Sequence, residues 1–471
     1  MSKLYITTAI PYVNGAPHIG HAMDYLNSDV YFRYHSLLGD EVRFQAGTDE
    51  HGNKVFAKAT ASGLDVKAYV DENSKKFQDF IAELGVHPTD FIRTTDEDHE
   101  RRCAEIWKKL ESHIYSASYE GWYCEGCERF VTEKEYEENG GVCPDHQKPY
   151  ERLSETNYYL RISDFKDRIC VAIESGEMKI LPEYRAKEIL KLLEDSPDVS
   201  ISRPRKNLSW GVPVPDDDSQ VMYVWIDALA NYITILGYPD KDISDFWPAA
   251  VQFVGKDILR FHAIIWPAML IGLGLPLPKV LHSHGFILAN GQKMSKSIGN
   301  VVDPIEVLKY RGRDAFRYFF LRHCDTFADS DFTWEKFDSA YNNELANDLG
   351  NLVQRLATLC KKNSLVYKPK NNTFSPAYND AMKDLNFNLA FEHVWGHIQN
   401  LNKKIDEQRP WELAKAGKIE ELITVLTALV DELLHATNEL SPFLPDATEK
   451  IFKIFSAASI LPPESPLFPK A

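Results

Sequence analysis

Two short stretches of this chain combine small residues with groups that can hold phosphate. The first, "PHIGH", sets His18 and His21 three apart around Gly20. It stands where a turn gives way to a helix-patterned run. A helix start presents unpaired backbone N–H groups and the positive end of the helix dipole, so it suits an anion. Gly20 lets a nucleotide lie close to the backbone, and two imidazoles on one turn can donate to phosphate oxygens. The plainer reading is that one histidine caps the helix and the other is solvated. The second stretch, "GQKMSKSIGN" over residues 291–300, sets Lys293 and Lys296 three apart on a glycine-bounded loop and adds Ser297. Two ammonium groups there can close over a triphosphate and neutralise charge as a carboxylate attacks the α-phosphorus. Taken alone, the loop could equally be a basic surface turn.

A third constellation has metal-ligand spacing. "CEGC" (Cys124, Cys127) is followed after fifteen intervening residues by "CPDH" (Cys143, His146). Two Cys-x-x-ligand knuckles so spaced suit one tetrahedral structural Zn2+ with four protein ligands and no open position. The alternative is reduced thiols with an incidental histidine. Cys103, Cys170, Cys324 and Cys360 fall outside the pattern and read as buried or incidental.

The elements that must position these groups follow from hydrophobic period. "KLYITTAIPY" is β-rich and is broken by proline and the Asn14–Gly15 pair. Ile19, Met23, Leu26, Val30 and Tyr34 then recur at helical spacing, ending near Gly39. "EVRFQAGTDEHG" is a second strand candidate, and this order opens a nucleotide-binding α/β fold with a parallel sheet. Residues 115–214 carry the cysteines and close on "GVPVPDDD", which reads as an insertion. Strand candidates resume with "VMYVWIDALANYI", "AAVQFVGKDI" and "KVLHSHGFIL". From about residue 338 the pattern is helical, as in "IEELITVLTALVDELLHATNEL", which predicts a bundle. The expected domains are therefore 1–114 and 215–290 for the split α/β fold, 115–214 for the zinc insertion, 291–337 for the lysine loop and a stem-contact region, and 338–471 for the helical domain.

Composition narrows the classes. A length of 471 residues implies more than one domain. No apolar run reaches the ~18 residues of a membrane span. The N-terminus lacks a secretory or transit pattern, and the odd count of seven cysteines is not a disulfide framework, so the reading is cytoplasmic. The formal charge of −16 argues against indiscriminate binding to nucleic acid, but residues 293–322 carry seven Lys/Arg against three Asp/Glu. Local charge, not the total, sets such a contact.

Together, in this order and about 275 residues apart, the histidine and lysine motifs resemble those of the class I aminoacyl-tRNA synthetases. The blocks "AIPYVNGAPHIGH", "AGTDEHG", "YVWIDALANYI", "FVGKDILRFH" and "WPAML" sharpen the resemblance to the methionyl-tRNA synthetase family, across nearly the whole chain. The resemblance implies a Rossmann-like fold with a helical anticodon-binding domain. It implies a ligase that forms methionyl-adenylate from methionine and ATP with Mg2+, then passes methionine to the 3′ end of initiator and elongator tRNA(Met). It places ATP at His18, Gly20, His21, Gly255, Asp257, Phe286, Ile287, Lys293 and Lys296. The loop's mobility follows, since it must close on ATP and then release pyrophosphate. The family's methionine pocket matches Ile10, Tyr12, Asp49, Trp225, Ala228, Tyr232, Ile258, Phe261 and His262. An unbranched thioether offers only shape and polarizability, so an aromatic, apolar pocket suits it. Asp49 matches the carboxylate that holds the substrate ammonium. Asn351, Arg355 and Trp411 match the family's anticodon readers; by pattern alone Trp411 reads as a bundle-core residue. Many relatives continue into a C-terminal dimerising domain that this sequence lacks, so a monomer is expected.

Other class I enzymes fit less well. Those for Ile, Val and Leu carry a much larger insertion, and a cysteinyl enzyme needs its zinc in the active site. A small nucleotidyltransferase lacks the bundle, and intact histidines and lysines count against a non-catalytic tRNA-binding relative.

Overall fold

The computed structural model describes residues 2–124, 129–145, 147–294, 299–370, 373–457 and 459–470. The chain divides into two compact units, neither continuous in sequence. Met1–Pro17, Asp40–Asp79 and Pro88–Ser283 form the first, and His18–Gly39, Phe80–His87 and His284–Ala471 the second.

The first unit is built on a six-stranded sheet. Its order is Asp90–Arg93, Glu41–Thr48, Lys3–Thr8, Val251–Gly255, Val280–His284, Lys179–Leu181. Lys3–Thr8 pairs in parallel with both of its neighbours, Glu41–Thr48 and Val251–Gly255. All five residues of Val251–Gly255 are buried, as a strand covered on both faces requires. Chain order runs outward from Lys3–Thr8 to one edge. On its other side Lys179–Leu181 is laid down first, at the far edge, and the chain then returns beside Lys3–Thr8 as Val251–Gly255 and runs outward to Val280–His284. Such a reversal opens a crevice beyond the carboxyl ends of the two strands, where open α/β sheets bind ligands. Close approach at that edge is enforced at Gly47, where a Cβ would stand 2.3 Å from the Ile92 carbonyl and 2.9 Å from Ile10 Cγ2.

Two expectations change here. "YVWIDALANYI" is not a strand but a helix, Val224–Thr234, in which every residue except Trp225 is buried. A short apolar run covered on all sides carries no period that separates the two. The span 115–214 is also not a self-contained insertion, because Lys179–Leu181 pairs in parallel with Val280–His282 at the sheet edge. The rest of that span holds a long antiparallel ribbon, Ile114–Cys124 against Glu151–Leu160.

In the second unit the first helix, Ala22–Leu37, follows the histidine turn directly. A three-stranded sheet orders Gln292–Lys293, Ile287–Ala289 and Ser330–Phe332. Its hairpin turn is Asn290–Gly291, both at positive φ (53° and 73°). That pair is the sequence signature of a two-residue type I′ turn. Helices account for the remainder, as the periodicity predicts. Trp334–Ala340 continues through a π-helical stretch, Tyr341–Gly350, into Asn351–Lys362. Two 22-residue helices, Phe387–Gln408 and Ile419–Leu440, pack against each other, burying Trp395, Leu426, Leu433 and their neighbours. Among the described residues no helix is long and apolar enough to cross a membrane.

Candidate functional site

Chain leaving the carboxyl ends of the two central strands supplies one set of predicted residues in the first unit. Lys3–Thr8 runs on into Ile10 and Tyr12, and Val251–Gly255 into Asp257 and Ile258. Asp49 is drawn beside the first segment by a parallel bridge. Its N–H donates to the Pro11 carbonyl (2.9 Å), and its carbonyl accepts from Val13 N–H (3.1 Å). Trp225 stacks on Phe261 with centroids 3.8 Å apart and planes 10° from parallel. It meets Tyr12 and His262 edge-on, each at 6.4 Å. Ala228 lies three residues beyond Trp225 on the same helix and is buried, as is Tyr232.

The protonation of His262 follows from its partners. Nδ1 lies 3.0 Å from the Ile258 carbonyl, which only accepts, so Nδ1 carries the proton. Nε2, 2.7 Å from Tyr232 Oη, must then accept from the phenol. Burial lowers this imidazole to about 4 against the opposing Ile258 bond, so it is neutral near pH 7. Tyr232 and His262 thus satisfy each other, and the surrounding wall is aromatic and uncharged. Phe261 and His262 open a π-helical stretch, Phe261–Ile265, a widened turn often found at functional sites.

Sequence reasoning assigned only Asp49 from "GTDEHG", yet the two following residues anchor a buried polar frame. Glu50, fully buried, takes Arg93 through two bonds of 2.7 and 2.8 Å. His51 Nδ1 lies 2.5 Å from Asp227 Oδ2, and Nε2 lies 3.4 Å from Glu100. Burial pulls this imidazole down, but Asp227 and Glu100 outweigh it and raise it to about 10. Asp227 stands between Trp225 and Ala228, so the pair fixes the helix that carries both. The signal available was three consecutive polar residues directly after a buried strand.

In the second unit, His18 and His21 cap each other's backbone. Gly20 N–H donates to His18 Nδ1, and His18 N–H donates to His21 Nδ1, both at 3.1 Å. This is a capping box built of imidazoles, with the rings stacked 3.9 Å apart. Because each Nδ1 accepts, the proton of each neutral ring belongs on Nε2. The turn therefore keeps two N–H donors of fixed position. A Cβ on Gly20 would fall 2.9 Å from His18 Cε1, so the glycine makes room for the imidazole itself.

Lys293 ends the hairpin that begins at Ile287. Its Nζ sits 4.5 Å from the Phe286 ring centroid, a cation–π contact. Gly291 N–H donates to Asp331 (2.7 Å) and Phe286 N–H to Asp329 (2.9 Å), which pin the ribbon at both ends. Gly285 allows the approach, since a Cβ there would meet the Ala328 carbonyl carbon at 2.2 Å. His284 Nε2, 2.9 Å from Asp24 Oδ1, ties this segment to the first turn of the helix that His21 precedes. The histidine turn and Lys293 thus belong to one unit, joined through Asp24, His284 and Phe286. Lys296 and Ser297 lie outside the described residues.

Of the four expected metal ligands, Cys127 and His146 lie outside the described residues. Cys124 and Cys143 are each 2% exposed and share one small cluster with Val131 and Tyr150. Cys143 heads a tight loop, its N–H donating to Lys148 O and its carbonyl accepting from Gln147 N–H, both at 2.8 Å. Two thiols converging from separate knuckles fit a thiolate-rich tetrahedral site. Cys103, Cys324 and Cys360 are buried, and Cys170 is partly exposed.

The RNA-reading candidates also converge. Arg355 lies over the Trp411 ring at 5.2 Å and pairs with Asp406. Asn351 is exposed one turn earlier on the same helix. Trp411 is 41% exposed, which overturns its reading as bundle core. Arg409, left-handed at φ 43°, ends the preceding long helix and starts Pro410–Lys415, turning the indole outward.

A family model described as tRNA synthetases class I (M) matches residues 4–152 and 145–357. The methionine–tRNA ligase of Thermotoga maritima is 39% identical over 472 residues, covering 96% of this chain and 75% of that protein. The methionine–tRNA ligase of Brucella melitensis biotype 1 is 38% identical, with 97% of this chain and 92% of its own length covered. Among solved structures, the Mycobacterium tuberculosis methionyl-tRNA synthetase in complex with methionyl-adenylate is similar with a TM-score of 0.92. Its identity is 35%, and all of both chains is covered.

Proposed function

The chain belongs to the class I methionyl-tRNA synthetases, the methionine–tRNA ligases, and from that premise we propose how its residues carry the two steps. The methionine carboxylate attacks the α-phosphorus of ATP. A carboxylate–phosphorus bond forms, the bridging bond to the β-phosphate breaks, and pyrophosphate leaves. A hydroxyl at the tRNA 3′ end then attacks the carbonyl carbon of the adenylate and expels AMP. The reciprocal cap at 18–21 carries this reading: it fixes both imidazoles at the start of the first helix with Nδ1 committed to the backbone, so that Nε2–H is the group each can turn to a phosphate oxygen. Lys293, with Lys296, supplies positive charge to the phosphates, where placement and electrostatics do most of the catalytic work.

Asp49 holds the methionine ammonium, while Ile10, Tyr12, Trp225, Ala228, Tyr232, Ile258, Phe261 and His262 enclose the thioether. Gly255 and Asp257 contact the ribose, and Phe286 with Ile287 the adenine. Asn351, Arg355 and Trp411 read unstacked bases of initiator and elongator tRNA(Met) by hydrogen bonds and stacking. Cys124, Cys127, Cys143 and His146 would hold one Zn2+, which, when bound, ties the two knuckles together and enters no chemical step.

Amino-acid-dependent exchange of labelled pyrophosphate into ATP tests the reading. Exchange is expected with methionine alone among the amino acids. His18→Ala and Lys293→Ala should each lower its rate roughly 100-fold or more, as loss of one transition-state donor does. Equal exchange with isoleucine or valine, or no change in either variant, would overturn it.

A further inference from the structure

We propose a second metal site, separate from the cysteine knuckles, that clamps the two long helices of the second unit. His397 stands on Phe387–Gln408, and His435 and Glu439 stand four apart on one face of Ile419–Leu440. One ligand atom from each of the three lies within 4.8 Å of the other two. His397 Nδ1 is 3.6 Å from Glu439 Oε2, and His435 Nε2 is 3.5 Å from Glu439 Oε1. Tetrahedral bonds of about 2.0–2.1 Å give ligand-to-ligand edges of about 3.4 Å, so from separations within 4.8 Å no pair need approach by more than about 1.4 Å to close on an ion.

Independent of the histidines, the carboxylate points to a ligand. Glu439 is 0% exposed, and its Oε2 is buried with no hydrogen-bond partner. Oε1 is already used, accepting Ser375 N–H at 2.7 Å, a bond that orients the group and leaves the other oxygen to the site. A carboxylate oxygen buried without a hydrogen-bond partner is costly unless a cation completes it. The exposed His397 and half-exposed His435 leave a solvent path and a fourth position for water. Two imidazoles and one carboxylate, without thiolate, suit Zn2+, Co2+ or Ni2+ and not Mg2+ or Ca2+. Bound there, the ion crosslinks the helices and stabilises the bundle by mass action.

Chelator-stripped full chain, reloaded with Zn2+ and desalted, tests this by metal content and melting temperature. Wild type should retain one zinc more per chain than the His397→Ala/His435→Ala double variant. Each single histidine variant should weaken binding at least tenfold. Co2+ in the double variant should keep its thiolate charge-transfer band and lose only the nitrogen–oxygen component. Glu439→Gln keeps the Ser375 acceptor, and it should lose the extra equivalent while keeping its fold by circular dichroism. Equal zinc content, with the same metal-dependent rise in melting temperature, in wild type and double variant overturns the site.

Discussion

Gly20 is decided by space, not by backbone freedom. The His18 ring occupies the volume a side chain would need, so Gly20→Ala must swing the imidazole off its cap. The expected result is a fall in methionine-dependent exchange of tenfold or more. The cost in stability should be only about 1 kcal/mol, that of a lost N-cap, read by calorimetry. The sequence reading singled out the glycine for the close approach of a nucleotide, and spacing cannot reveal that a neighbouring ring fills the gap. His262 gives a pH prediction of definite sign. Its folded value of about 4 lies below the ordinary histidine value of 6.5, so only the unfolded chain takes up a proton in between. Stability is therefore full above 6.5 and drains away as pH falls through 4, by about 3 kcal/mol from this residue. His262→Gln should flatten that part of the denaturation-against-pH curve, and His262 should titrate near 4 by NMR.

At the scale of elements, the first helix is secured by charge in a dry place. Arg317, fully buried, lies 2.7 Å from Asp29, which also takes Arg33 at 2.7 Å. The same guanidinium donates to the carbonyls of Phe443 (2.6 Å) and Pro442 (2.9 Å), just before the last helix. Asp29→Asn leaves that cation buried without its counter-charge and should cost about 3–5 kcal/mol in urea denaturation. Arg317→Met combined with Asp29→Leu should recover much of it. This tie was not legible: Arg317 sits in a six-residue helix too short to show a period, and Asp29 is buried outside the apolar stripe that marks the first helix, where a charge reads as solvent-facing. Helix existence was legible wherever a polar face broke the pattern, as in Ala22–Leu37 and Ile419–Leu440. Where burial is complete, as in Val224–Thr234, the amphipathic signal disappears and the β-rich composition misleads. The Asn290–Gly291 turn was readable as turn chemistry, but its consequence, Lys293 laid over Phe286, required the register of the ribbon.

For the molecule as a whole, activation and RNA reading should separate by assay. Trp411→Ala removes an exposed stacking platform and leaves every residue assigned to ATP or methionine untouched. Stacking is worth about 1–3 kcal/mol per base, so the tRNA KM should rise roughly 5- to 150-fold. Pyrophosphate exchange should stay at the wild-type rate. Equal losses in both assays would remove Trp411 from RNA recognition. Motif order made the chemistry legible across the chain, but not the partition of that chain. A helix from the first forty residues belongs to the body formed by the last two hundred, held by Asp29–Arg317 and by Tyr34 Oη on Asn379 at 2.7 Å. Modular thinking fails at that seam. A version of this protein cut just ahead of the bundle would strip Arg317 of its Pro442 and Phe443 acceptors and bare the flank of the segment led by the histidine turn. Swapping bundles between relatives therefore means transplanting that early helix as well.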